Sequence, residues 1–366
     1  MLVKMNYKAI LEILQEQILK GETAFNSLLP TENELAQKYG VSRPTITKVY
    51  NLLQEKGYLT KKKGVGTRVI YQKLNENNLT FGLLLPGAGE SEIFSIISNR
   101  FLKHSQEGRF NCLWEGATTS NAEFRKGITK KCSIDYIEQK VDGVFFAPLE
   151  RTPHADEINK EICERFTKAG IPLVLIDRDI VEFPNRSQYD LVSLDNFTAG
   201  YTMAEHLIDA GCNVINFVYR QDSAFSVTLR HLGVAAAIRN RQMDFNNSHI
   251  YCGTQDDPEF VKNISIIPGK TGIICANDST AAVLMSTMSS MGIETASDVL
   301  ICGYDNMKYA EYLKQPLTSY SQPCEEITDV AIELMMRRIK NKDVIPVNIN
   351  LLGQIVPRES TVFLVK

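Results

Sequence analysis

From Phe81 to Gly303 the chain alternates strand-like apolar runs with helical ones, and no single sheet can absorb them all. Phe81 to Leu85, Val144 to Ala147 and Leu173 to Ile176 are short apolar runs, with helical segments near Ser91 to Leu102 and over Ile158 to Ala169. A second series runs through Leu191 to Leu194, Val214 to Val218, Gly272 to Ala276 and Val299 to Gly303. Its helices are expected over Phe197 to Ala210, Phe225 to Arg239 and Ser279 to Met291. This alternation implies parallel sheets sandwiched by helices. At ~290 residues the region is too long for one such sheet, so two α/β lobes with a cleft between them follow.

The segment before Leu79 follows a different pattern. Ile10, Leu11, Leu14, Ile18 and Leu19 mark a first helix from Lys8 to Lys20. Thr31 with Glu34 three residues on makes a capping box for a second helix to about Tyr39, and Gly40-Val41 turns the chain. Ser42 can cap a third helix whose inward stripe is Ile46, Val49, Leu52 and Leu53, with Arg43, Thr45, Thr47 and Lys48 at its leading end. Tyr58 to Ile70 then reads as a hairpin with a basic, glycine-rich tip, Lys61-Lys62-Lys63-Gly64-Val65-Gly66-Thr67. The sum is a winged helix-turn-helix. Arginine at the start of such a helix can fork onto guanine, and a lysine wing can follow phosphate into the minor groove.

Charge supports this division. Residues 1–74 hold 12 Lys+Arg and 6 Asp+Glu, a balance of +6; the remainder holds 28 and 37, a balance of −9. A basic head on an acidic body suggests that only the head meets a polyanion. Residues 71–78, polar and rich in asparagine, are taken as the connection. The expected domains are therefore a DNA-binding unit at 1–72, a linker at 73–79, and an effector-binding and dimerisation unit at 80–366.

Leu29-Pro30-Thr31-Glu32-x-Glu34-Leu35-Ala36, Ser42-Arg43-x-Thr45, Gly57-Tyr58-Leu59 and Gly64-x-Gly66-Thr67 resemble the GntR family of winged-helix regulators over about residues 4–72. That resemblance implies operator contacts by Arg43, Thr45, the Thr47-Lys48 pair and the Gly66 tip. The full expected DNA set is Thr31, Ser42, Arg43, Thr45, Thr47, Lys48, Lys63, Gly66 and Thr67. Asn33 and Thr47 stand where many relatives carry arginine, so a relative's operator cannot be copied across. Over about residues 80–360, Val141-Asp142-Gly143-Val144, Arg230-x-x-Gly233, Asn277-Asp278-x-Thr280-Ala281 and Gly303-Tyr304-Asp305-Asn306 resemble the LacI/GalR regulators. Their bodies have the fold of periplasmic sugar-binding proteins, which implies a chain that crosses between lobes three times, with lobe 1 at about 80–185 and 308–340 and lobe 2 at about 186–307 and 341–366. The pairing of head and body resembles the arabinose repressors.

In open α/β sheets ligands sit beyond the carboxyl ends of strands. Glu150, Ser226, Arg230, Asn277, Asp278 and Asp305 all follow such ends, and they offer donors and acceptors for sugar hydroxyls. The LacI likeness places Arg230, Asn277 and Asp305 at cleft contacts and offers Phe94 as a stacking wall. Asp278 has a second reading as a helix cap, Arg230 as a surface helix arginine, and Phe94 as core. Asp177, Arg178 and Asp195 are left to structure. Arg230 is the lone cation placed in the cleft, which favours a neutral monosaccharide over a phosphosugar.

No catalytic or metal site is expected. Gly269-Lys270-Thr271 lacks the glycine of a phosphate loop, with Ile264 in its place, and the five histidines show no ligand spacing. The eight scattered cysteines read as reduced core residues. No run nears the ~20 apolar residues that span a bilayer, and the start lacks a signal-peptide pattern, so a cytoplasmic location is expected. The resulting expectation is a homodimeric repressor with no cofactor and no membrane contact, bound to double-stranded operator DNA. A monosaccharide releases it, L-arabinose or another pentose or 6-deoxyhexose being favoured. The rivals are a transport-type sugar-binding protein, and a regulator sensing a purine or a phosphosugar.

Overall fold

The computed structural model describes residues 5–20, 22–23, 27–62, 66–70, 79–86, 92–114, 121–243 and 249–363. The chain divides into two compact units, residues 1–76 and 77–366.

The smaller unit is α1 (Tyr7–Leu19), α2 (Glu32–Tyr39), α3 (Arg43–Glu55) and an antiparallel hairpin of β1 (Leu59–Lys62) and β2 (Gly66–Val69). The Thr31 capping box is reciprocal: the Glu34 amide donates to Thr31 Oγ1 at 3.3 Å, and the Thr31 amide donates to the Glu34 carboxylate at 2.6 Å. Gly40 ends α2 in the left-handed region, φ 64°, and lets the chain turn into α3. Ser42 stands at the N-cap of α3 but makes no side-chain cap; its hydroxyl bonds Thr45 Oγ1 at 2.8 Å. Ile46, Val49, Tyr50 and Leu53 form the buried face of α3. Leu52, expected in that stripe, is half-buried, because the helical face at i, i+3, i+4 and i+7 takes in Tyr50 instead. The Tyr50 hydroxyl donates to the Pro30 carbonyl at 2.6 Å.

The larger unit contains two six-stranded sheets. The first is wholly parallel, in the order β13 (Asn348–Leu351), β7 (Asp190–Leu194), β6 (Leu173–Ile176), β5 (Gly143–Phe146), β3 (Thr80–Leu84), β4 (Asn111–Trp114). The second runs β14 (Gln354–Val356), β12 (Thr318–Ser321), β11 (Val299–Tyr304), β10 (Thr271–Cys275), β8 (Val214–Tyr219), β9 (Ile250–Cys252), with only β14 antiparallel. The first sheet packs against α4 (Glu92–Gln106), α5 (Ala122–Glu138), α6 (Ala155–Lys168) and α11 (Cys324–Lys340). The second packs against α7 (Asn196–Asp209), α8 (Phe225–Asn240) and α10 (Asp278–Ser290), with the short α9 (Pro258–Lys262) lying on α10. Each sheet has a core on both faces, which is why its strands read as unbroken apolar runs.

The lobe boundaries differ from those expected. β7 belongs to the first sheet and not to lobe 2; β12 belongs to the second sheet and not to lobe 1; β13 returns to the first sheet. A buried carboxylate explains much of this. Asp190 of β7 accepts from Arg338 of α11 at 2.8 Å and from the Val347 amide beside β13 at 2.8 Å, which ties three distant segments together. The chain therefore changes lobe at Asp195, between β12 and α11, and between β13 and β14. The expected linker lies outside the described residues except for Leu79, which is buried in the first-lobe core. Six cysteines are buried as expected, Cys112 is half-buried, and Cys252 is exposed.

Candidate functional site

Strand ends from both sheets enclose a cavity of about 270 Å³. Phe94, Glu150, Asp177 and Arg178 face it from the first lobe, and Arg220, Ser226, Arg230, Asn277 and Asp305 from the second. β3 has β4 on one side and β5 on the other, and β8 has β9 and β10, so the strand order reverses beside each and the cavity sits at the switch points of both sheets.

Arg230 is fixed from several directions. Its Nε donates to Asn196 Oδ1 at 2.8 Å, its Nη1 to the Ala276 carbonyl at 2.5 Å, and its guanidinium lies 4.4 Å from the centroid of the Tyr304 ring. It is buried, and α8 is locked in place by glycine. A Cβ on Gly200 would strike the Arg230 carbonyl, and one on Gly233 would strike that of Phe197. Only glycine allows α7 and α8 to approach so closely.

Asp305 takes a left-handed backbone, φ 100°, and its carboxylate accepts from Gln322 Nε2 at 2.6 Å. Burial raises its pKa, with the Arg230 charge opposing. Asn277 is the N-cap of α10; its Oδ1 accepts the Thr280 amide at 2.8 Å, so its NH₂ group is what remains for a ligand. Ser226 is buried in the first turn of α8. Glu150 lies 2.7 Å from Arg178 Nη1. Burial alone would raise its pKa, but Arg178 and Arg151 hold it at about 2.

One expected contact is corrected. Asp278 does not line the cavity: it is fully buried under the 305–307 turn, accepting the Met307 amide at 2.8 Å and the Ser319 hydroxyl at 2.7 Å. It is the first residue of α10 and not its cap, and its role is to hold the turn that presents Asp305. Phe94 does line the cavity but is only 2% exposed, and its ring carries the Arg178 guanidinium at 5.6 Å, which leaves little open face for a sugar. Sequence reasoning missed Arg125, Arg151, Arg220 and Gln322 on the walls and left Arg178 to structure. Arg220 and Gln322 directly follow β8 and β12, so the strand-end rule could have found them; Arg125 lies in the first turn of α5, away from any strand end, and carries no such signal.

In the smaller unit the expected DNA residues converge in part. Arg43 is exposed at the start of α3 and pairs with Glu32 at 3.1 Å, while Lys61 of β1 pairs with the other oxygen of the same carboxylate at 2.5 Å. Lys61 first, and then Arg43, hold the Glu32 carboxyl below the ordinary range against partial burial. Lys48 Nζ lies 4.0 Å from the Tyr7 ring centroid, and Thr47 Oγ1 donates back to the Arg43 carbonyl at 3.1 Å. The Thr31 side chain is occupied in its cap, Thr67 is buried, Thr45 is half-exposed, and Gly66 opens β2 at φ 113°. Lys63 lies outside the described residues.

Residues 6–69 match the model of the bacterial regulatory proteins of the gntR family, and residues 204–361 match that of the periplasmic binding protein-like domain. The chain joins a GntR-type helix-turn-helix head to a LacI/GalR-like periplasmic-binding body. It is 29% identical to the HTH-type transcriptional repressor PurR of Vibrio vulnificus over 226 residues, 59% of this chain and 64% of that protein, so under two thirds of that relative is spanned. It is 24% identical to the arabinose metabolism transcriptional repressor of Halalkalibacterium halodurans over 356 residues, 92% of this chain and 90% of the relative. Among solved structures, the complex of the transcriptional regulator CelR with cellobiose superposes with a TM-score of 0.63 at 20% identity, over 91% of this chain and 100% of that one. A LacI family regulator from Enterococcus faecium with bound ribose gives 0.59 at 24% identity, over 78% and 99%. These likenesses show that the LacI/GalR-like body has the two-lobed fold. Among the described residues no cluster of three or more His, Cys, Asp or Glu side chains is placed to hold a metal, and no helix is long and apolar enough to cross a membrane.

Proposed function

We propose that the chain is a DNA-binding transcription regulator, a repressor of carbohydrate-utilisation genes, that leaves its operator when a monosaccharide occupies the interlobe cavity. The observation that carries this reading is the presence in one chain of a basic helix-turn-helix head and a two-sheet cavity furnished by Arg230, Asn277 and Asp305. Similarity to an arabinose metabolism repressor along 92% of the chain supports it. At about 270 Å³ the cavity falls near the lower end of the ~300–1,000 Å³ of small-ligand pockets, which suits one sugar ring. L-Arabinose, another pentose or a 6-deoxyhexose is therefore the leading effector. Assembly as a two-fold homodimer fits a palindromic operator.

A second reading has a specific observation in its favour. A single cleft arginine disfavours a phosphosugar, but the described walls carry Arg125, Arg151, Arg178, Arg220 and Arg230 against Glu150, Asp177 and Asp305. An anionic sugar derivative is the alternative.

Thermal-shift screening of the full chain against pentoses, 6-deoxyhexoses, sugar phosphates and purines separates these readings, since a binder of the folded state raises Tm by mass action. Asp305→Ala is expected to abolish the shift while leaving DNA binding intact. Arg43→Ala is expected to abolish operator binding while the shift persists. A sugar response surviving Asp305→Ala rejects the cavity, and normal operator affinity in Arg43→Ala rejects the α3 assignment.

A further inference from the structure

The N-terminus of α8 opens onto the interlobe cavity and is rich in donors. α8 follows β8 through the turn 220–224, a strand, turn and helix at the switch point of the second sheet. Its N-cap, Ala224, has no side-chain oxygen and makes no side-chain cap. The Val227 amide turns back to the Ala224 carbonyl at 2.9 Å, whereas the amides of Phe225 and Ser226 open the helix without an intrahelical acceptor. Ser226 is 8% exposed and faces the cavity, and its hydroxyl makes no hydrogen bond among the described residues. Arg230 lies one turn further along the same face of α8. With its Nε held by Asn196 and its Nη1 by the Ala276 carbonyl, Nη2 is the edge left for a ligand.

Further arginines gather at this end. Arg220 directly follows β8; its Nε donates to Gln255 Oε1 at 3.0 Å, and Gln255 is itself pinned, its Nε2 donating to the Gly253 carbonyl at 2.6 Å. The Ser223 hydroxyl donates to the Arg220 carbonyl at 2.6 Å, which fixes the turn. From the first lobe, the Arg151 amide donates to the Asp222 carbonyl at 3.0 Å and sets Arg151 against the same turn. Arg151 Nε is buried and has no acceptor. An enclosed donor left unpaired in a native fold calls for a partner from outside the chain. The first-lobe carboxylates are already matched: Arg178 lies 2.7 Å from Glu150 and 2.6 Å from Asp177, and Arg151 lies 3.9 Å from Glu150. Arg125, Arg220 and Arg230 then stand against Asp305, a surplus of two positive charges on the described walls.

We propose that the N-terminus of α8, with Ser226, Arg151, Arg220 and Arg230, is a phosphate subsite, and that the effector is a sugar phosphate whose hydroxyls reach Asn277 and Asp305. This subsite rests on the second reading, an anionic sugar derivative in the cavity, and fixes the end at which the charge is held. A strand, turn and helix hold phosphate well because the first amides and the helix dipole both point at it. Guanidiniums add forked, charge-assisted hydrogen bonds.

Calorimetric titration of the full chain tests the subsite, with ribose 5-phosphate, arabinose 5-phosphate, glucose 6-phosphate, their neutral parent sugars, gluconate and inorganic phosphate as probes. At least one sugar phosphate should bind about tenfold or more tightly than both its neutral parent and inorganic phosphate, and that preference should shrink with added salt. Ser226→Ala and Arg220→Gln should each lower the preference by about tenfold, the loss expected for a charge-assisted hydrogen bond. Thermal unfolding without ligand identifies which variants keep the fold, and either one suffices. A preference unchanged in a folded variant overturns the subsite while leaving an anionic effector elsewhere in the cavity. Equal binding of sugar phosphates and their parents, or binding of no probe, overturns the subsite and the second reading together. Gluconate binding more tightly than every sugar phosphate overturns the assignment to phosphate.

Discussion

Asp278 and Asp305 illustrate how two carboxylates at similar strand-end positions acquire different work. Asp305 faces the cavity beside Arg230, whereas Asp278 is enclosed, with two protein donors on its oxygens. Asp278→Ala leaves those donors without an acceptor and is expected to destabilise the body by ~1–3 kcal/mol per buried group, read as a lower denaturant midpoint. Asp305→Ala should spare the midpoint and remove the effector response. The pH dependence of Asp278 has a definite sign. Burial, and then the Asp305 charge, raise its pKa well above the ordinary 3.8, so the folded chain holds a proton that the unfolded chain releases. Its contribution to stability is therefore fully present below about 3.8 and is lost as pH rises through the folded value. Asp278→Asn should flatten that part of the Tm–pH curve, and an unchanged curve would contradict the assignment. Asn277 and Asp305 were legible from the sequence because they closely follow strands, and Arg230 because the LacI likeness singles it out in the helix after β8. What was not legible was burial: nothing in the order of residues announces that Phe94 lies beneath Arg178 or that Asp278 points away from the cavity.

Helices and strands were legible where apolar period and caps agreed, as in α2 with its capping box and in the unbroken runs of β5, β6 and β10. The assignment of strands to lobes was not, because β7, β12 and β13 find their partners through contacts distant in sequence, such as Arg338 with Asp190. The α7–α8 pair makes the same point from packing. Gly200 and Gly233 look like ordinary helical glycines, yet each faces a carbonyl of the other helix. Gly200→Ala is expected to cost ~1–3 kcal/mol through overpacking. It should also weaken effector binding, since the carbonyl it displaces belongs to Arg230. Equal affinity at reduced stability would show that the side chain of Arg230 is insulated from the helix contact. In the smaller unit, Glu32 links α2 to the start of α3 and to β1 through Arg43 and Lys61. Lys61→Ala should reduce the salt slope of DNA binding by about one without altering base preference, whereas loss of discrimination among operators would indicate direct base reading.

For the chain as a whole, thermodynamic linkage constrains the proposed switch more tightly than any single contact. If effector occupancy weakens operator affinity by about two orders of magnitude, ~3 kcal/mol, then operator DNA must weaken effector binding by the same factor. Calorimetric titration of the effector with and without duplex measures this factor directly, and an effector affinity unchanged by saturating operator duplex would exclude the proposed switch. The three backbone passages between lobes limit what such a switch can transmit. A panel hung on one strap can swing, twist and slide; on three it keeps a single axis. Whatever fills the interior is then reported outward as one angle, and guests of different shape become distinguishable only by how far they turn it.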